Sequence, residues 1–212
     1  MQTYLFDFDG TLVDSMPTFI ASALRVLDEN GVAYQADIIQ TITPLGFKGT
    51  AEYYQTLGLK LSVEETVARM KAYAKKAYEE SILAKPSVIE VLRALKARGD
   101  SLSVLTASPH ETLDCCLRRL GIFDLFDNVW SCDDFSTSKA NPEIYKAVAK
   151  RLGLQVQDII FLDDNIHAIQ TGKKAGVRVY GVYDESSKGY EREMKAIAER
   201  YIVDFIELLD KE

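Results

Sequence analysis

The chain has 212 residues, 47% hydrophobic and 27% charged, which excludes disordered and collagen-like classes and leaves room for one large domain or one domain with an insertion. The formal net charge of -7 argues against a nucleic-acid partner, which calls for a basic face, although an acidic protein binds phosphate where positive charge is concentrated locally. Cys115, Cys116 and Cys132 are an odd set without C-x-x-C spacing, and His110 and His167 are the only histidines, so a disulfide framework, a zinc site and a multi-histidine centre are all set aside.

The chain opens directly on a strand, Tyr4–Phe8, with no signal-peptide pattern, and it has no apolar run of membrane-spanning length. A cytoplasmic location is therefore expected. A helical pattern follows from Pro17, suited to a first helical position, to Gly31, suited to the position after a helix end. Ser62 with Glu65 reads as a capping box opening a further helix, and from about Ser15 to Lys85 no strand is expected. After Pro86 the pattern alternates. Ser87 with Glu90 reads as a second capping box before a helix to Gly99, strand Ser101–Thr106 comes next, and Ser108-Pro109 caps a helix ending near Gly121. Strand Asn128–Ser131, a helix from Asn141-Pro142 to Gly153, strand Asp158–Leu162, helix His167–Ala175, strand Val177–Tyr183, a loop over Asp184–Gly189, strand Tyr201–Val203 and a terminal helix complete the series.

Alternating strands and helices imply an α/β fold: a doubly wound, mostly parallel sheet of Rossmann type, with an inserted all-helical domain. Residues 1–14 with 86–212 form the expected core and 15–85 the insertion. In such sheets ligands sit beyond the carboxyl ends of the strands, so polar residues at those ends should converge. Asp7 and Asp9 follow the first strand, Thr106 ends another, and Asp163 with Asp164 end a third. Burying unpaired carboxylates after a Tyr/Leu/Phe run is unfavourable unless a cation is held there. Gly10 and Thr11 allow a tight turn whose N–H groups can face an anion. Clustered Asp residues are hard oxygen ligands suited to Mg2+. Asp7 could attack phosphorus, Thr106 and Lys139 could stabilise the phosphoryl oxygens, and Asp9 could act as general acid and base.

Four segments carry a family resemblance that covers essentially the whole chain: Asp7-Phe-Asp-Gly-Thr-Leu-Val-Asp14, Leu105-Thr-Ala-Ser108, Lys139-Ala-Asn-Pro-Glu-Ile-Tyr145 and Phe161-Leu-Asp-Asp-Asn165. In order and spacing the chain resembles the haloacid dehalogenase superfamily, in its branch similar to phosphoglycolate phosphatases and β-phosphoglucomutases. The resemblance implies Asp7 as nucleophile and Asp9 as acid/base that also lends its carbonyl to Mg2+. It makes Asp164 the main metal ligand and Asp163 a second ligand or an outer-sphere partner. Gly10, Thr106, Ala107 and Lys139 would contact phosphate, and the insertion would be a cap domain.

Two departures from the family pattern are Ala168, where many relatives carry a further acid, and Ala140 after Lys139, where Pro is usual. His167 reads as a helix-surface residue rather than a metal ligand. Lys48, between Gly46 and Gly49 where relatives place a specificity loop, is the cap residue nominated to touch substrate. The expected reaction is Mg2+-dependent hydrolysis of a small phosphorylated metabolite through an aspartyl-phosphate, by a monomer or weak homodimer with no nucleic-acid or membrane partner. The alternatives are a phosphomutase, whose relatives place a His where this chain has Phe19, and a non-catalytic phosphate-binding module.

Overall fold

In the computed structural model, which describes residues 1–35 and 37–210, short apolar runs become strands wherever parallel neighbours can bury both of their faces. The elements in chain order are β1 (Thr3–Phe6), α1 (Met16–Glu29), α2 (Ile38–Ile42), α3 (Gly46–Thr56), α4 (Val63–Glu80), α5 (Val88–Ala97), β2 (Ser101–Thr106) and α6 (His110–Arg119). There follow β3 (Asn128–Ser131), α7 (Glu143–Leu152), β4 (Ile159–Asp163), α8 (Ile166–Ala175), β5 (Arg178–Val182), α9 (Glu191–Ile197) and β6 (Arg200–Ile202).

Among the described residues six strands, all parallel, lie in the order β3-β2-β1-β4-β5-β6. This is the doubly wound Rossmann order, and its direction of winding reverses between β1 and β4. The core on one flank joins Leu5, Phe161, Ile159 and Val179 of the sheet to Tyr145 and Val148 of α7 and Ile169 of α8.

The chain divides into two compact units, Met1–Asp14 with Leu83–Glu212, and Ser15–Ile82. The second unit has no strand among its described residues; Ala23, Val26, Leu27, Ile42, Ala51, Tyr54 and Met70 form its core. Leu83, Ala84 and Lys85 belong to the α/β unit rather than to the insertion, because Lys85 N–H donates to the Leu12 carbonyl (3.0 Å) and Ala84 bridges Val13. The expected ranges also take in residues 36, 211 and 212, which lie outside the described residues. No helix among the described residues is long and apolar enough to cross a membrane.

Local signals and structure part at several points. Ser62 and Glu65 do form the reciprocal capping box, at 3.1 and 3.0 Å. Ser87 does not: it adopts a left-handed conformation (φ 62°), makes no cap bond, and pairs its hydroxyl with Asp204. Helix α9 has no counterpart in the sequence reading, since Met194 is its one buried residue. Its docking depends on Gly181 of β5, where a Cβ would come within 2.3 Å of the Met194 side chain. The stretch expected as a loop after β5 is a 3-10 helix, Glu185–Tyr190, and the terminal helix is likewise a 3-10 segment, Phe205–Leu209.

Candidate active site

Strands β1 and β4 are neighbours at the point where the winding reverses, with Phe6 opposite Leu162. The residues that follow, Asp7 and Asp163, therefore emerge side by side, and Asp7 N–H donates to the Leu162 carbonyl at 2.8 Å. Each of Asp7, Asp163 and Asp164 offers a carboxylate oxygen, all within 4.8 Å of one another, and all three residues are buried.

Lys139, from the segment between β3 and α7, donates to Asp7 Oδ1 at 2.5 Å and to Asp163 Oδ2 at 2.7 Å. The Tyr145 hydroxyl of α7 reaches the Lys139 carbonyl (3.2 Å) and the Ala168 carbonyl (3.1 Å), which ties the lysine's backbone to α8. Asp163 Oδ1 accepts from Asn165 N–H (2.7 Å), and Asn165 in turn caps α8 through the N–H groups of His167 and Ala168. Asp163 is thus committed to positioning Lys139 and the start of α8.

Asp164 is held differently. The Thr11 hydroxyl donates to its Oδ1 at 3.0 Å and accepts from its N–H at 3.2 Å, while Gly10 (φ +76°) packs directly against its carboxylate. The Gly10 N–H, expected to face an anion, instead donates to the Val13 carbonyl at 3.0 Å, because the turn closes on itself. Asp9 lies outside the three-carboxylate cluster. Its Oδ2 accepts from the Ser108 hydroxyl, and Ser108 N–H donates to Thr106 Oγ1 at 3.1 Å. This corrects the reading of Ser108 as a helix cap: α6 begins at His110, and the serine hydroxyl is spent on Asp9. Ala107 is exposed between the two hydroxyl residues.

Three buried carboxylates facing one ammonium leave two formal negative charges uncompensated. Burial is the main reason that Asp7 is pushed up to about 7, with Lys139 opposing the shift and Asp163 adding to it. Burial likewise lifts Asp164 well above the usual carboxylate range, with the charges of Asp163, Asp7 and Asp184 adding to it. Burial acts to lower Lys139, but Asp163 and Asp7 outweigh it and the ammonium stays protonated. A divalent cation fits this set on two counts: hard oxygen donors, and a charge equal to the deficit. Asp7 and Asp164 would hold it, with Asp163 behind them.

Lys48 belongs to the other unit. It is helical, on α3, with an exposed side chain 4.0 Å from Glu52 one turn on, which corrects its expected place in a loop. His167 is exposed on α8, with its ring against Tyr190. Thr11 as the partner of Asp164 and Ser108 as the partner of Asp9 escaped sequence reasoning. Both stand inside the quoted motifs, but nothing in their spacing says which carboxylate each would hold.

The family model for haloacid dehalogenase-like hydrolases matches residues 4–182. The chain is 31% identical to the pyrophosphatase PpaX of Bacillus velezensis, over 84% of this chain and 81% of that protein. It is 28% identical to a phosphorylated carbohydrates phosphatase of Thermotoga maritima, over 89% of this chain and 88% of that one. Among solved structures, a candidate β-phosphoglucomutase from Thermotoga maritima superposes with a TM-score of 0.83 at 26% identity, covering 99% of this chain and 97% of the other.

Proposed function

This chain belongs to the haloacid dehalogenase-like hydrolase family and to its phosphatases, and on that premise we propose that it hydrolyses a small phosphomonoester, with Mg2+, through a phosphorylated Asp7. One observation carries the reading: Lys139 bridges Asp7 and Asp163 inside a buried acidic cluster that is two positive charges short.

In the first half-reaction an Asp7 carboxylate oxygen attacks phosphorus, the bond from phosphorus to the ester oxygen breaks, and Asp9 gives its proton to the departing alkoxide. In the second, water attacks the same phosphorus, Asp9 takes the water proton, and Asp7 is released with inorganic phosphate. Ser108 holds the Asp9 carboxylate on the side of β2, away from the three-carboxylate cluster, so that nucleophile and acid/base have separate supports. Lys139 orients Asp7 and, together with Thr106, is assigned the charge that develops on the phosphoryl oxygens. When bound, Mg2+ supplies the positive charge that lets a carboxylate and a phosphate approach one another.

Hydrolysis rather than phosphoryl transfer to a sugar is favoured by Phe19. It lies where mutase relatives place a histidine, and its ring packs 4.9 Å from that of Phe47. The Ser15–Ile82 unit acts as the cap, with exposed Lys48 as its substrate contact, and three cysteines without C-x-x-C spacing suit a reducing cytoplasm. The named substrates of the relatives, pyrophosphate and phosphorylated carbohydrates, define the first compounds to try. The test is phosphate release from a panel of small phosphate esters and pyrophosphate, with and without Mg2+, beside an Asp7→Asn control. Activity that persists in Asp7→Asn refutes the nucleophile.

A further inference from the structure

Among the described residues, Lys85 is a second largely buried ammonium of the α/β unit that reaches across strands, and neither the motifs nor the reaction uses it. Its side chain is 14% exposed and its partner Asp184 6%. The Nζ donates to the Gly10 carbonyl at 2.7 Å, the Tyr183 carbonyl at 2.5 Å and Asp184 Oδ2 at 3.0 Å, so the three donors of the ammonium meet three acceptors.

The places of those acceptors in the sheet matter more than their number. Gly10 follows β1, whereas Tyr183 and Asp184 follow β5, and β4 lies between those strands. Lys85 therefore spans the end of β4, which carries Asp163 and Asp164. We infer that Lys85 is a positioning residue for the acidic cluster: it clamps the turn after β1 to the end of β5 and thereby sets the gap in which the Asp164 carboxylate sits. Gly10 is both the residue Lys85 holds and the residue packed on that carboxylate.

Both ends of the clamp are held by further hydrogen bonds. Asp184 Oδ1 accepts from the N–H (2.9 Å) and hydroxyl (2.6 Å) of Ser186, and Tyr183 N–H donates to the Ile202 carbonyl of β6 (2.8 Å). The lysine's own backbone is fixed by its 3.0 Å bond to Leu12, and Asp14 N–H donates to the Leu83 carbonyl at 3.0 Å. An ion pair kept only to neutralise Asp184 would need one acceptor. Two of the three are backbone carbonyls on opposite sides of β4, which is the geometry of a brace.

The inference rests on the proposed metal-dependent reaction for its meaning but not for its test. Mg2+ is titrated calorimetrically into the full chain and into Asp184→Asn and Lys85→Met/Asp184→Asn, with phosphate release measured in parallel. The double variant removes the clamp without leaving a buried unpaired carboxylate. It should unfold near the wild-type temperature, bind Mg2+ about tenfold or more weakly, and lose kcat with KM unchanged. Asp184→Asn keeps Lys85 on both carbonyls and should lose less Mg2+ affinity than the double variant, since it alters only the charge beside Asp164. Wild-type Mg2+ affinity in the double variant, or an equal loss in both variants, overturns the clamp. If the wild-type protein cleaves no phosphate ester while the double variant alone loses Mg2+ affinity, the proposed reaction fails and the clamp stands.

Discussion

Replacing Gly10 by alanine isolates the contact on which Asp164 depends. Gly10 has φ +76°, a left-handed conformation that costs an L-residue about 1–2 kcal/mol. Gly153, at the end of α7, has φ +70° with nothing within 4 Å of an added Cβ, so Gly153→Ala bears the same backbone penalty and no other. At Gly10 the new Cβ would lie 2.6 Å from Asp164 Oδ2, 2.8 Å from its Cγ and 2.9 Å from its Oδ1. Ordinary contact begins at 3.4 Å, so the carboxylate must withdraw, and its hydrogen bonds with Thr11 at 3.0 and 3.2 Å must lengthen with it. Gly153→Ala should lose about 1–2 kcal/mol in urea unfolding, and Gly10→Ala should lose more, because the displaced carboxylate adds to the same backbone term. Gly10→Ala alone should raise the Mg2+ concentration for half-maximal phosphate release, by roughly 10–100-fold, the range found when a group supporting a metal ligand is disturbed. Equal Mg2+ requirements in the two variants would refute the role assigned to the contact.

Thr11→Val should destabilise the protein by about 1–3 kcal/mol, because it leaves the buried Asp164 N–H without its acceptor; urea unfolding at wild-type stability would show that another group replaces the hydroxyl. For the cap, Lys48→Ala should raise KM for the best substrate and spare a generic aryl phosphate, and equal loss on both removes Lys48 from the binding surface. The Asp7 carboxyl has a folded value of about 7 against an ordinary 3.8, so its contribution to stability is fully present below the lower value. Between the two the unfolded chain releases the proton and the folded one keeps it, so metal-free stability falls as pH rises through that window and levels off above it. Mg2+ binding should accordingly tighten with rising pH and release protons near pH 6. An affinity that does not change with pH there would contradict the burial argument.

The legible part of the chain was its list of chemical groups. Asp7, Asp9, Thr106, Lys139, Asp163 and Asp164 lie at strand ends or in short segments of fixed order, and a parallel sheet brings strand ends together whatever their separation in sequence. Strand Asn128–Ser131 and the Ser62–Glu65 capping box were equally legible, because each is decided by residues a few positions apart. Reading failed where a local signal has two outlets. Ser108 carries the marks of a helix cap, yet its hydroxyl goes to Asp9, and Ser87 has the same marks and takes a left-handed conformation. Helix α9 was invisible because one buried Met194 makes no period, and its stability comes from the space left by Gly181.

The sequence by itself determined the doubly wound class, and residue type and order singled out Asp7, Asp163, Asp164 and Lys139 as a group, but also Asp9, which stands outside the three-carboxylate cluster. Only the tertiary structure decided how each carboxylate is held: Asp163 on Lys139 and Asn165, Asp164 between Thr11 and Gly10, Asp9 on Ser108. Only the tertiary structure revealed that Lys85 spans the strand between its partners. The reason is physical. Strand ends converge through backbone pairing, which a sequence pattern encodes, whereas a hydroxyl or an ammonium chooses among several acceptors by distances that exist only once the sheet has formed.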